Sequence, residues 1–456
     1  MKTRLSLLYF LQFGIWGCYL TCFGQLLGRG GLGSDIAWFY AAIGLVSILT
    51  PPLFGRLADR TGRPELLLAA CHIVGAAFMF GMWHYGMHNE RLSLSVMLPL
   101  YIGFLLFYMP TMALANTTTF GLLTSQGKNP SDSFPSIRIW GTIGFIVAMW
   151  FVNSAYYSEG TFGFAFSDSS EFGKLRFQYT PMQLLCSAVI GLFTAFYTLT
   201  LPRQTRNATF AKDSRLSASD SSEQSGSNPG LINSVRLIFA NRLTATFLVF
   251  VVLTGACLQI SNGFATPFIT HFSGFSDYVQ SFASGNATFL FSLSQISEAV
   301  CVLLVGVMLK KGGIRSVYAL GLLAWSLRFL LFAFGNPGDG LWMLVLSMVM
   351  YGFAFNFITI AGHLHIQKVA PEGTKGFAQG LMMFMSNGIG ATIGTLVAGN
   401  VVNHYCHWKN IANTGTAPMH LFMGDWEWPW LIFAAYSAAV MIGWLLLYRK
   451  DKKFSV

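Results

Sequence analysis

Apolar residues fall into twelve blocks along the chain, separated by short polar stretches. The blocks span 5–27, 36–56, 65–87, 94–122, 135–157, 180–201, 243–272, 280–309, 314–334, 339–366, 375–403 and 428–448. Each is long enough to cross a hydrocarbon layer as a helix, which takes about 20 residues. Apolar and polar residues do not alternate in segments of about ten, the pattern of a membrane barrel. The pattern therefore predicts an all-α membrane protein of twelve transmembrane helices.

Composition agrees. Charged residues make up 10% of the 456 residues, against about 25% in an average soluble domain. A lipid-facing surface needs almost none, because its helices satisfy their own backbone polar groups. The net charge of +10 would suit nucleic acid in a soluble protein. Here the basic residues sit between apolar blocks, and no basic stripe interleaved with aromatics tracks a nucleic-acid strand, so membrane orientation explains them better. With twelve spans both termini lie on one side. Of the 28 Lys and Arg, 21 fall on that side and five on the other, while Arg138 and Arg328 lie within spans. Positive residues favour the cytoplasm, so both termini are expected there.

The longest polar stretch, 203–242, is rich in Ser, Asp, Gly and Asn in its middle. It reads as a flexible cytoplasmic linker. It divides the chain into a six-helix bundle over 1–202 and a second over 243–456. Two such halves are the layout of major-facilitator transporters. The glycosylation triplets at Asn207 and Asn286 fall in the linker and in a span, where neither is expected to be used.

Between spans two and three stands Gly55-Arg-Leu-Ala-Asp59-Arg60-Thr-Gly62-Arg63. It resembles the loop signature of the major facilitator superfamily. Glycines there permit a tight turn and close helix approach. Asp59 can cap a helix or pair with a neighbouring arginine in a contact that breaks when the halves rock. Gly306 and Gly313 repeat the spacing of Gly55 and Gly62 in the equivalent loop of the second half, which supports an internal repeat.

Of eighteen carboxylates, Glu298 alone falls near the middle of a span. An ionisable group there costs a few kcal/mol and is a functional candidate. It suits a group that binds and releases a proton. Other polar residues have helical spacing. Gln295 and Glu298 share a face of span eight, and Gln259 and Asn262 share one of span seven. Arg138, Thr142 and Phe145 form a stripe on span five. Tyr351 and Phe355 share a face of span ten, with Asn356 adjacent. Interhelical hydrogen bonding is the plainer explanation of any one pair. Four such faces together predict a polar cavity at the midplane.

Amides and a hydroxyl suit a neutral ligand with many hydrogen-bonding groups, and Phe and Tyr offer flat surfaces for a ring. Sugars and nucleosides both fit. Arg328 is expected to be structural and His72 to be a satisfied core histidine. His404, Cys406 and His407 are of ligand type but have no carboxylate nearby, so no metal is expected. Met382, Met383 and Met385 read as packing residues. The seven cysteines include no CxxC pair, which argues against a disulfide framework or structural zinc.

Longer motifs carry a closer resemblance. Phe134-Pro-Ser-Ile-Arg-Ile-Trp-Gly-Thr-Ile-Gly-Phe145, Tyr108-Met-Pro-Thr111, Leu258-Gln-Ile-Ser-Asn262, Ser294-Gln-Ile-Ser-Glu298 and Leu327-Arg-Phe329 resemble the bacterial nucleoside:proton symporters of the major facilitator superfamily. Phe10-Leu-Gln-Phe13 with Trp16-Gly17 is similar too, and the resemblance extends to Trp430-Leu-Ile-Phe-Ala434. It implies proton-driven nucleoside uptake by alternating access across a bacterial inner membrane. By position it implies a site of Arg138, Thr142, Phe145, Gln259, Asn262, Gln295, Glu298, Tyr351 and Phe355, with Asn356 beside them and Glu298 as proton carrier. One departure matters: the family has a carboxylate where Asn356 stands. Coupling would then rest on Glu298.

The expectation is a transporter, not an enzyme, without cofactor, acting as a monomer on nucleosides and protons. A neutral sugar porter of the same fold and an uncoupled nucleoside facilitator are the alternatives within the class. An intramembrane enzyme or a channel is the alternative outside it. For that the sequence offers no metal-ligand cluster, no nucleophile–base spacing and no repeated selectivity loop.

Overall fold

The computed structural model describes residues 1–128, 130–166, 171–202, 236, 238–369, 375–411 and 419–448. Most of the linker expected over 203–242 lies outside the described residues. Eleven helical stretches among the described residues are long and apolar enough to cross a bilayer. One of them, Ala287–Phe334, has 48 residues, about 70 Å of helix and far more than a single crossing needs. It is broken at Gly313, whose φ of 65° and ψ of 177° are not helical. Twelve crossings result.

They are α1 (Lys2–Tyr19), α2 (Ile36–Thr61), α3 (Pro64–His88), α4 (Leu94–Ser125), α5 (Pro130–Ser154) and α6 (Met182–Leu199). The second six are α7 (Arg242–His271), α8 (287–312), α9 (314–334), α10 (Leu341–Val369), α11 (375–405) and α12 (Glu427–Leu447). The repeat seen in the loops has a backbone counterpart. Gly62 ends α2 in the left-handed region, at φ 62°, and its N–H caps the carbonyl of Ala58 at 2.9 Å. Gly313, at the matching place, divides α8 from α9 in the same region of φ. A side chain there would be strained, and glycine is not.

Three sequence expectations need correction. Span one is not one continuous helix: α1 stops at Tyr19, and Phe23–Arg29 forms a separate short helix. The interruption survives at membrane depth because neighbouring helices take its carbonyls. The Tyr40 hydroxyl donates to Leu20 O at 2.6 Å, and that of Thr266 to Thr21 O at 2.5 Å. Span five ends at Ser154, and the residues expected to finish it begin a hairpin, β1 (Ala155–Ser158) with β2 (Thr161–Phe164). Positive φ at both Glu159 and Gly160 closes its two-residue turn. Span eight starts at Ala287 rather than 280, after a single turn at Phe282–Gly285. A second hairpin, β3 (Cys406–Ile411) with β4 (Met419–Gly424), follows α11.

Within the first six helices, α1 packs on α5, α3 on α4 and α6, and α2 on α4. Between the first six and the last six, α2 packs on α11, α5 on α8, and the short helix after α1 on α7. The hydrogen bonds that join the two sets among the described residues lie toward the end remote from the termini. Gln25 donates to Thr270 (2.8 Å), Trp150 to Ser292 (2.8 Å) and Asn403 to Ser34 O (2.8 Å).

Candidate functional site

A cavity of about 300 Å³ lies between the two sets of helices. That is at the lower end of the roughly 300–1,000 Å³ typical of small-molecule sites. α5 supplies Arg138, Thr142 and Phe145 to one wall. α7 supplies Gln259 and Asn262, α8 supplies Gln295 and Glu298, and α10 supplies Tyr351 and Phe355. Helical spacing of three, four or seven residues places each group on one face, so each helix presents its polar side chains together.

Two ionisable groups line the cavity, Arg138 from the first half and Glu298 from the second. The Arg138 guanidinium lies 3.9 Å from the Phe13 ring centroid, an arrangement that holds a cation in an apolar setting. Asn262 donates to the Gln259 side-chain oxygen at 3.4 Å. The Tyr351 and Phe355 rings are parallel within 3°, their centroids 5.9 Å apart. They make a flat apolar strip beside the amides.

Asn356 is the one expected contact residue that does not face the cavity. It is 1% exposed, and its amide donates to the backbone carbonyl of Glu298 at 2.8 Å. It follows Phe355 directly, and a one-residue step turns a side chain about 100° round a helix. It joins α10 to α8 instead of lining the site.

The cavity also takes residues that helical spacing did not single out. Phe13 and Trp16 of α1 line it, as do Ser386 and Asn387 of α11. Phe13, Trp16 and Leu20 do share a helical face, but apolar residues in an apolar span carry no contrast. Ser386-Asn387 is a polar pair inside an apolar block, and that contrast was the available signal.

Arg328 is fully buried and does not snorkel. It donates to Ser347 O (2.6 Å), Ser261 Oγ (2.9 Å) and Ser294 Oγ (3.3 Å), tying α9 to α10, α7 and α8. His72 is satisfied by Gln12 Oε1 at 2.7 Å. Both are structural, as expected. Most of the motif expected in a loop extends α2 instead: Gly55 to Arg60 lie in its last two turns, and Gly62 with Arg63 makes the turn into α3. Gly55 and Gly62 have open space where a Cβ would stand. The side chain of Asp59 lies outside the described residues.

Comparison with known proteins gives the family. The family model described as "Nucleoside H+ symporter" matches residues 1–453. The nucleoside permease NupG of Escherichia coli (strain K12) is 32% identical over 457 residues, covering 98% of this chain and 96% of that one. The xanthosine permease of the same organism is 31% identical over 440 residues, covering 95% and 92%. The crystal structure of nucleoside transporter NupG superposes with a TM-score of 0.79 at 32% identity, covering 99% of each chain. The chain belongs to the nucleoside H+ symporter family, membrane transporters of the major facilitator fold.

Proposed function

We propose that this protein imports nucleosides together with protons across the inner membrane of a bacterium, with both termini in the cytoplasm. The observation that carries the reading is that Glu298 and Arg138, one from each half, line one cavity together with amides and aromatic rings. Amides and a carboxylate suit ribose hydroxyls, and the Tyr351–Phe355 strip suits a flat heterocycle. Glu298 is the group that can take up and release the proton. Arg138 answers its charge from the other half, so its protonation state alters the attraction between the halves.

Residues 1–202 and 243–456 act as two bundles that rock about this site, joined through 203–242. The close contacts at the end remote from the termini support an inward-facing state. Gly55, Asp59 and Arg60 at the end of α2, with Gly62 and Arg63 in the turn that follows, change their contacts as the halves move. One chain supplies the whole cavity, which supports action as a monomer.

The test uses purified protein in proteoliposomes under an imposed proton gradient. Glu298→Gln is expected to abolish uphill accumulation of labelled uridine while sparing part of its exchange. Undiminished uphill uptake by that variant would sink the assignment of the proton to Glu298. External alkalinisation when substrate is added separates symport from uncoupled passage. Competition by a panel of nucleosides and neutral sugars separates a nucleoside carrier from a sugar porter.

A further inference from the structure

Span eleven is not a uniform α-helix. Phe384–Gly390 is π-helical and stands between the α-helical pieces Lys375–Met383 and Ala391–Tyr405. A π turn takes in extra backbone and shifts the phase of the residues around it, and such turns concentrate at functional sites. Glycines on the facing helices make room for this one. A Cβ on Gly255 of α7 would meet the Ser386 carbonyl oxygen at 2.2 Å, and one on Gly44 of α2 would meet that of Asn387 at 2.2 Å. The π turn is therefore wedged between α7 and α2, at the seam between the halves.

Ser386 and Asn387 both line the cavity. Asn387 is exposed and Ser386 half-buried, and among the described residues neither side chain has a hydrogen-bond partner. A polar group at membrane depth without a protein partner is costly unless water or a ligand meets it. Its location follows from helix geometry. Gly255 precedes Gln259 by four residues, about 6 Å along α7. Ser386 touches Gly255, so the pair lies about one turn from Gln259 toward the termini. On α10, Tyr351, Phe355 and Thr359 share one face at steps of four residues. Thr359 lines the same end of the cavity as Ser386 and Asn387. Thr359 stands one helical turn beyond Phe355, so the π turn borders the end of that face.

We infer that Asn387 is a specificity-determining residue whose amide reads the hydrogen-bonding edge of the nucleobase. The inference rests on the nucleoside-carrier reading. On that reading Gln259, Asn262, Gln295 and Glu298 suit the ribose hydroxyls. The remaining polar end of a nucleoside is the base edge, which presents donors and acceptors side by side. A carboxamide matches that arrangement with one donor and one acceptor in a plane.

The test is initial uptake in proteoliposomes by wild type and by Asn387→Ala. The substrates are uridine, cytidine, adenosine and inosine, with 2′-deoxyuridine as the ribose probe. In the variant, the efficiency ratios among bases are expected to move by about tenfold, the worth of one well-placed hydrogen bond. The uridine to 2′-deoxyuridine ratio is expected to stay. Unchanged base ratios, or a shift confined to the ribose probe, would overturn the inference. Wild type that carries no nucleoside would remove the carrier reading beneath it. If truncation unfolds the protein, Asn387→Asp keeps the size and removes the donor. It should penalise the bases that need that donor, and equal effects on all four would also overturn the inference.

Discussion

Asn356 donates its side-chain N–H to the main-chain carbonyl of Glu298 across 2.8 Å. The bond fixes α10 against α8 at the residue assigned to carry the proton. Aspartate in that place offers no N–H and donates only when protonated. Uptake by Asn356→Asp should therefore fall as pH rises through the titration of the introduced carboxyl. The protonated form keeps the bond, and the ionised form sets a negative charge against a carbonyl oxygen. Asn356→Ala should show no such added dependence. It removes one hydrogen bond worth about 1 kcal/mol, while the Glu298 carbonyl keeps its helical partner. The check is the pH profile of initial uridine uptake for the three proteins. An Asp-variant profile that overlays wild type would refute the argument.

Gly17 and Gly144 are where α1 and α5 meet backbone to backbone. A Cβ at Gly17 would come within 2.3 Å of the Phe145 carbonyl oxygen, and one at Gly144 within 2.1 Å of that of Phe10. α5 carries Arg138, Thr142 and Phe145, so parting these helices moves one wall of the site. Gly144→Ala is expected to destabilise by about 1–3 kcal/mol, the usual cost of overpacking, and to cut nucleoside uptake several-fold. Gly14→Ala on the facing helix α1 is the control, because its nearest neighbour would be 3.8 Å away. Thermal midpoints in detergent and uptake rates should separate the two variants, and equal behaviour would refute the packing argument.

Much of this arrangement is legible in the sequence because the bilayer makes two signals strong. Charges are so scarce that their placement orders the loops. Polar residues within spans are so scarce that helical spacing groups them. That is why Arg138, Thr142 and Phe145, and the pairs Gln259–Asn262 and Gln295–Glu298, come together on one cavity. Spacing fails where the helix departs from 3.6 residues per turn or carries no contrast. The π turn at Phe384–Gly390 shifts the phase around Ser386 and Asn387, and no apolar periodicity reveals it. Phe13 and Trp16 are aromatic residues among other apolar ones. Asn356 joined the candidate set by adjacency alone, and adjacency on a helix turns a side chain away. The break after Tyr19 depends on hydroxyls of Tyr40 and Thr266 from other helices, which no local pattern could announce.

Arg176, buried at the end remote from the termini, holds the two halves together there. Its guanidinium donates to Asn286 Oδ1 at 2.8 Å and to the Gly285 carbonyl oxygen. The Gln178 amide and the Tyr179 hydroxyl donate to that same Gly285 oxygen at 3.1 Å each. Asn153 Nδ2 donates to Asn286 Oδ1 at 2.8 Å, and Asn153 Oδ1 accepts from Phe289 N at 3.2 Å. Three donors on one carbonyl, all from the first half, make a latch that must part if the site is to open on that side. Arg176→Met removes hydrogen bonds from a charged donor, each worth about 1.5–3 kcal/mol. A loss of about 1.4 kcal/mol already changes a conformational ratio tenfold. The variant should therefore spend more time open on the side remote from the termini. A cysteine placed by Phe289→Cys, beside the latch, should react several-fold faster with a membrane-impermeant maleimide in the Arg176→Met background. Arg176→Lys, with its charge but fewer donors, should fall between. Labelling that is the same in all three would mean that the latch does not govern closure.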